Sequence, residues 1–188
     1  MSMFCYQCQE TAKGTGCTVK GVCGKNETVA KVQDLLVYAC KGVAEVVVKG
    51  KLDVSTLSEV NHEVFKSLFI TITNANFDEA AIERQIVRVL GLRDQLRQTV
   101  SGAALHEAAT FEVNTTSQML EKATNVGVLS TPNEDVRSLR ELVIYGLKGI
   151  AAYGHHALVA GKENIDIYAF MYEALAATLD DSLTADQL

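Results

Sequence analysis

The chain has 188 residues, 48% of them apolar and 21% charged, with a formal net charge of −6. That length allows a sizeable core, and the acidic balance argues against a nucleic-acid partner, whose phosphates need a basic face. No apolar run approaches the roughly 20 residues that span a bilayer, and no charged-then-apolar leader opens the sequence, so a cytoplasmic protein is expected.

Four of the five cysteines, Cys5, Cys8, Cys17 and Cys23, fall in residues 1–25, ahead of the first helix. Helical apolar spacing then runs nearly throughout. Val29, Val32, Leu36, Ala39, Val43 and Val46 form one stripe, which carries the Val46-Val47-Val48 run as helix despite its strand propensity. Leu57, Val60, Val64, Leu68 and Ile72 predict a second helix, thickened by Phe65 and Phe69. Ile82, Ile86, Val89, Leu96 and Val100 outline a third, and residues 101–130 read as a short helix or an irregular excursion.

Thr131-Pro132-Asn133-Glu134 predicts a helix start, with Thr131 as cap, Pro132 at the first helical position and Glu134 closing a capping box. Val136, Leu139, Val143, Leu147, Ile150, Gly154 and Ala157 continue it towards a stop at Gly161, and a fifth helix is expected over 164–179. Thr184-Ala185-Asp186-Gln187 again has capping-box form just before Leu188, which predicts a chain cut from a longer protein. The class is therefore all-α, as two small bundles: a cysteine-rich segment over 1–25, a first bundle and connection over 26–130, and a second, truncated one over 131–188.

The cysteine spacing is C-x2-C-x8-C-x5-C. In a reducing compartment such crowding points to a metal centre rather than to disulfides, which small secreted chains spread through their length. Gly14, Gly16, Gly21 and Gly24 let the backbone bend and turn N–H groups towards sulfur, while Lys13, Lys20 and Lys25 offset thiolate charge. Four cysteines suit either a zinc ion or an iron–sulfur cluster. The wider second pair favours a cluster, and a zinc-stapled structural domain remains the alternative.

The stretch MFCYQCQET…GC…GVCGK resembles the N-terminus of the hybrid cluster proteins, also called prismane proteins or hydroxylamine reductases. The resemblance continues through DLLVYACKGVAEV, LFITITNANFD and LKGIAAYGHHALVAG…IYAFMYEALA, and so covers essentially the whole chain. It implies a [4Fe-4S] cluster on Cys5, Cys8, Cys17 and Cys23; a form of the family with wider later gaps carries [2Fe-2S] instead. It also implies an N-terminal helical domain that relays electrons to a hybrid iron–sulfur–oxygen cluster, where hydroxylamine or nitric oxide is reduced. That second cluster is held by residues of later domains, which this sequence does not contain, so the resemblance does not extend catalysis to this chain alone. The implied partners are those domains and a redox donor protein.

Other candidates read as structural. Cys40, beside the first stripe, is expected to be a small buried hydrophobe. Glu59-x-x-His62 has a di-iron spacing but no second copy. His106-Glu107 lacks the second histidine of a zinc protease. His155 and His156 are adjacent and expected on different helix faces, near the helix end. Gly146, Gly149, Ala151, Ala152 and Gly154 predict close helix packing, without phosphate-loop spacing. An assembly of copies through an exposed apolar surface at the truncated end is a third reading.

Overall fold

The computed structural model describes residues 3–188. Among them are six α-helices and no strand: α1 Glu27–Lys49, α2 Ser58–Ile70, α3 Glu79–Arg97, α4 Thr116–Val126, α5 Glu134–Val159 and α6 Ile165–Ala177. The all-α expectation holds, and the valine run at 46–48 is helical. Five helices start on a polar cap: side-chain oxygens of Asn26, Asp78, Thr115, Asn133 and Asn164 accept N–H groups of the first turn. The 101–130 stretch, read as a short helix or an irregular excursion, holds a 3-10 turn at Glu107–Ala109 and then the short helix α4.

The start of α5 differs from expectation. Asn133 is its cap, accepting from Val136 N at 3.1 Å, so Pro132 lies outside the helix. Thr131 turns elsewhere: its carbonyl accepts from Arg137 and its hydroxyl from Arg140. At the other end Gly161 does stop the helix, with φ +73°, a value open to glycine at no steric cost. Its N–H donates to Leu158 O at 2.8 Å and that of Lys162 to Ala157 O at 2.9 Å.

Helix α1 is buried on nearly every side, not along one stripe. Helices α3, α4 and α6 and the Glu107–Ala109 turn pack around it, while α5 packs chiefly on α2. Each Leu or Val that α1 buries contributes about 1.5–3 kcal/mol relative to exposure, so it organises the other helices. The two helix groups interlock in a single core running from Val29 to Leu179, because α6 lies on α1 and α5 on α2. Fully buried Arg93 ties the 107–111 segment to α3, donating to Ala108 O at 3.1 Å and Phe111 O at 2.7 Å. No helix among the described residues is long and apolar enough to cross a membrane.

Candidate metal centre

The cysteine-rich segment folds back on itself in a short antiparallel pairing. Cys5 N donates to Cys17 O at 3.1 Å, and Cys17 N to Cys5 O at 2.9 Å. The intervening chain closes by tight turns, Thr11 N to Cys8 O at 3.2 Å and Gly14 N to Thr11 O at 3.0 Å. Gly16 is required where it stands: its φ is +127°, and a Cβ there would lie 2.5 Å from the Phe4 ring. A small apolar cluster of Met3, Cys17 and Ala30 seats this pairing on α1.

The four sulfurs meet different surroundings. Cys17 is 5% exposed. The Ala12 N–H donates to its Sγ at 3.4 Å, the Val22 N–H also reaches it, and the Thr11 hydroxyl stands 3.7 Å away. The Ala12 bond is the leading cause that holds this thiol below its ordinary pKa, against the opposing effect of burial. For Cys5 burial leads and pushes the thiol up, with Lys25 opposing. Cys8 is half-buried and Cys23 exposed, its Sγ lying over Gly21. The donors on sulfur come from Thr11, Ala12 and Val22 at Cys17 and from the Gln7 N–H at Cys5, not from the glycine amides.

The structure thus joins Cys5 to Cys17 directly, with Cys8 and Cys23 on flanking turns. Among the described residues no three His, Cys, Asp or Glu side chains converge on one metal-sized point. The chemistry of the set still fits an iron–sulfur group: four soft thiols, N–H donors on a buried sulfur, and a buried cation beside Cys5. A cleft of about 910 Å³ opens next to the segment, lined by Cys5, Cys8 and Tyr6 together with Asp34, Arg137 and Tyr145 of the helices.

Gln7, Gln33 and Lys148, which hold the segment, escaped the sequence reading, as did the burial of Lys25. Gln7, between Cys5 and Cys8, accepts from Thr73 N at 3.2 Å and from Lys148 Nζ at 3.3 Å. Lys25 is 1% exposed and donates to Gln33 Oε1 at 2.6 Å, and Gln33 in turn donates to Asn76 O at 2.9 Å. A signal existed: Gln33 and Lys148 occupy core-facing phases of apolar helices, where a polar side chain needs a buried partner.

The remaining candidates are structural. Cys40 is fully buried, and burial pushes its thiol up to about 12. His62 pairs with Glu163 at 3.0 Å, and Glu59 with Arg88. His106 accepts the Ala108 N–H through Nδ1, and Glu107 binds Tyr38 and Lys122. His155 is half-buried and His156 exposed, yet both rings lie 5.5 Å from Phe69 and 6.3 Å from each other, because one large ring spans their two directions. Gly154 does allow close packing, since a Cβ would stand 2.2 Å from the Phe65 ring, but Gly146 and Gly149 face open space.

Residues 3–188 match the model of the Prismane/CO dehydrogenase family. The chain is 61% identical over 188 residues to a hydroxylamine reductase of Acetivibrio thermocellus, covering all of this chain and 35% of that protein. It is 51% identical over 195 residues to a hydroxylamine reductase of Clostridium perfringens, of which it covers 36%. Against one from Desulfitobacterium hafniense the identity is 52% over 194 residues, with 35% covered. The chain therefore spans about a third of the length of the curated relatives it matches.

Proposed function

Because the chain belongs to the Prismane/CO dehydrogenase family, we propose that its N-terminal segment holds a [4Fe-4S] cluster and relays electrons inside a hydroxylamine or nitric oxide reductase. The ligands in this reading are Cys5, Cys8, Cys17 and Cys23. The observation that carries it is the Cys17 sulfur, buried beside Cys5 and met by the Ala12 and Val22 N–H groups. Donors aimed at sulfur favour a thiolate and tune the potential of whatever it ligates. When bound, the cluster supplies single-electron uptake and release.

The chain's own residues do the rest. The Cys5–Cys17 pairing fixes two ligands in register, Thr11 braces it by donating to Cys5 O at 3.2 Å, and Met3 and Ala30 exclude water beneath Cys17. The cleft leaves Cys5 and Cys8 a side open to an approaching donor or to further domains. In the same reading residues 1–25 are the cluster segment, 26–130 and 131–188 two helix groups that share one core and support it, and the whole protein works in the cytoplasm with a redox donor. The hybrid iron–sulfur–oxygen cluster and the reduction itself belong to later domains of the longer protein.

The test is metal and acid-labile sulfide content per chain after anaerobic purification, with the visible spectrum. About four irons and four sulfides support the reading, and Cys17→Ala is expected to lose both. One zinc without sulfide, or two irons with two sulfides, would replace it by a zinc-stapled domain or a [2Fe-2S] site.

A further inference from the structure

Lys148 lies in the middle of α5 and is 4% exposed. Its Nζ donates to Gln7 Oε1 at 3.3 Å and to Thr71 O at 3.2 Å. Thr71 closes α2, so that carbonyl sits at a helix C-terminus, where the last oxygens lack helical partners and the dipole favours a cation. Gln7 Oε1 also accepts the Thr73 N–H, just past the same helix end. One ammonium thus joins three separate segments: the Cys5–Cys8 turn, the end of α2 and the body of α5.

Holding a charge in this position is expensive unless neighbours compensate it. Asp34 on α1 and Glu141 on α5 do so, opposing the lowering of its pKa that burial causes. Cys5 acts in the same direction and Lys25 against it, so the field of the ammonium reaches the cysteine segment. A positive charge fixed in a poorly solvated place favours the state of a nearby redox group that carries one more electron. Lys25 is tied to the segment by sequence, but Lys148 is brought there by the fold.

We propose that Lys148 is a positioning residue of the cysteine centre: through Gln7 it pins the Cys5–Cys8 turn to the end of α2, and its charge favours reduction there. The charge role rests on the cluster reading; the tether does not.

The experiment compares wild type, Lys148→Met and Lys148→Arg in the full chain, by iron and sulfide content, redox titration of the visible spectrum, and hydrogen exchange at the Thr73 amide. Lys148→Met is expected to keep its iron, to lower the reduction equilibrium constant about tenfold, or about 59 mV for one electron, and to speed Thr73 exchange about tenfold. Lys148→Arg restores most of the potential. A Lys148→Met protein with wild-type potential and wild-type Thr73 exchange overturns the proposal. Should Lys148→Met not fold, Lys148→Gln removes the charge and keeps a donor beside Gln7 Oε1 and Thr71 O. A lowered potential then supports the proposal, and a wild-type potential overturns it. Wild-type protein without iron and sulfide defeats the cluster reading and the charge role together, while Thr73 exchange still decides the tether.

Discussion

Replacing Gly42 by alanine places a methyl group where the structure has backbone. A Cβ at Gly42, in the second half of α1, would stand 2.1 Å from the carbonyl oxygen of Ala108 and 2.7 Å from its carbon. That carbonyl cannot retreat freely, because it accepts from Arg93 Nη1 at 3.1 Å and the same guanidinium donates to Phe111 O. Moving the 107–111 segment would leave part of a fully buried cation unpartnered. Overpacking costs about 1–3 kcal/mol, and a lost bond to a charged donor costs about 1.5–3 kcal/mol. Alanine's better helix propensity offsets about 1 kcal/mol of this. The expected net loss is about 2–4 kcal/mol. Gly146→Ala is the control, since nothing lies within 4 Å of a Cβ there; it is expected to gain about 0.5–1 kcal/mol. Urea unfolding followed by far-UV circular dichroism reads both. With a slope of about 1–3 kcal/mol per molar, the Gly42→Ala midpoint falls by about 1–2 M while that of Gly146→Ala rises by a few tenths. A Gly42→Ala midpoint at or above wild type would show that α1 and the 107–111 segment do not approach as described.

Two further outcomes are expected. Burial, opposed chiefly by Lys148, holds the Asp34 carboxyl above its ordinary value of 3.8, at about 7. The folded state therefore binds a proton that the unfolded chain has released, and this group's contribution to stability falls as pH rises through that window. Asp34→Asn should flatten the fall in urea midpoint between pH 5.5 and 7.5; an unchanged slope counts against it. Cys40→Ala should keep the full iron and sulfide content, since its thiol is buried and held protonated, and should cost about 1 kcal/mol. Loss of iron in that variant would make Cys40 a ligand.

The helices were legible because their apolar residues recur at steps of three and four. Reading α1 as a single stripe undercounted its burial, although Val37, Tyr38, Ala44 and Val47 already placed apolar side chains off that stripe. An all-round apolar helix belongs at a centre, and that is where it lies. The start of α5 was misplaced by two residues for a local reason. Thr131 and Asn133 are both good caps two residues apart, and the choice was made by Arg137 and Arg140, which draw the Thr131 oxygens away. The 101–113 segment was illegible because its anchor, Arg93, looks in the sequence like one more exposed charge on α3.

The candidate centre divides along the same line. Its thiols could be found by spacing, since ligands supplied by one short loop leave their geometry in the sequence. The charges around them could not. Counted by proximity, Lys13, Lys20 and Lys25 are equal partners of the cysteines, yet Lys13 and Lys20 are exposed and only Lys25 is buried. Water and salt screen an exposed ammonium to a small effect, whereas a buried one acts across a poor dielectric. The second buried cation, Lys148, enters from α5 and bonds to Gln7 across 141 residues of sequence. Its trace lies in the pattern of α5: Arg140, Ile144, Leu147, Lys148 and Ala151 share one buried face, so two cations stand at positions that apolar residues would ordinarily fill. Arg140 is accounted for by Asp181 and the Asp180 carbonyl at the far end of α6. Lys148 has its acceptors on two other segments, Thr71 O at the end of α2 and Gln7 Oε1 between two cysteines, and Gln7 also takes the Thr73 N–H at that helix end.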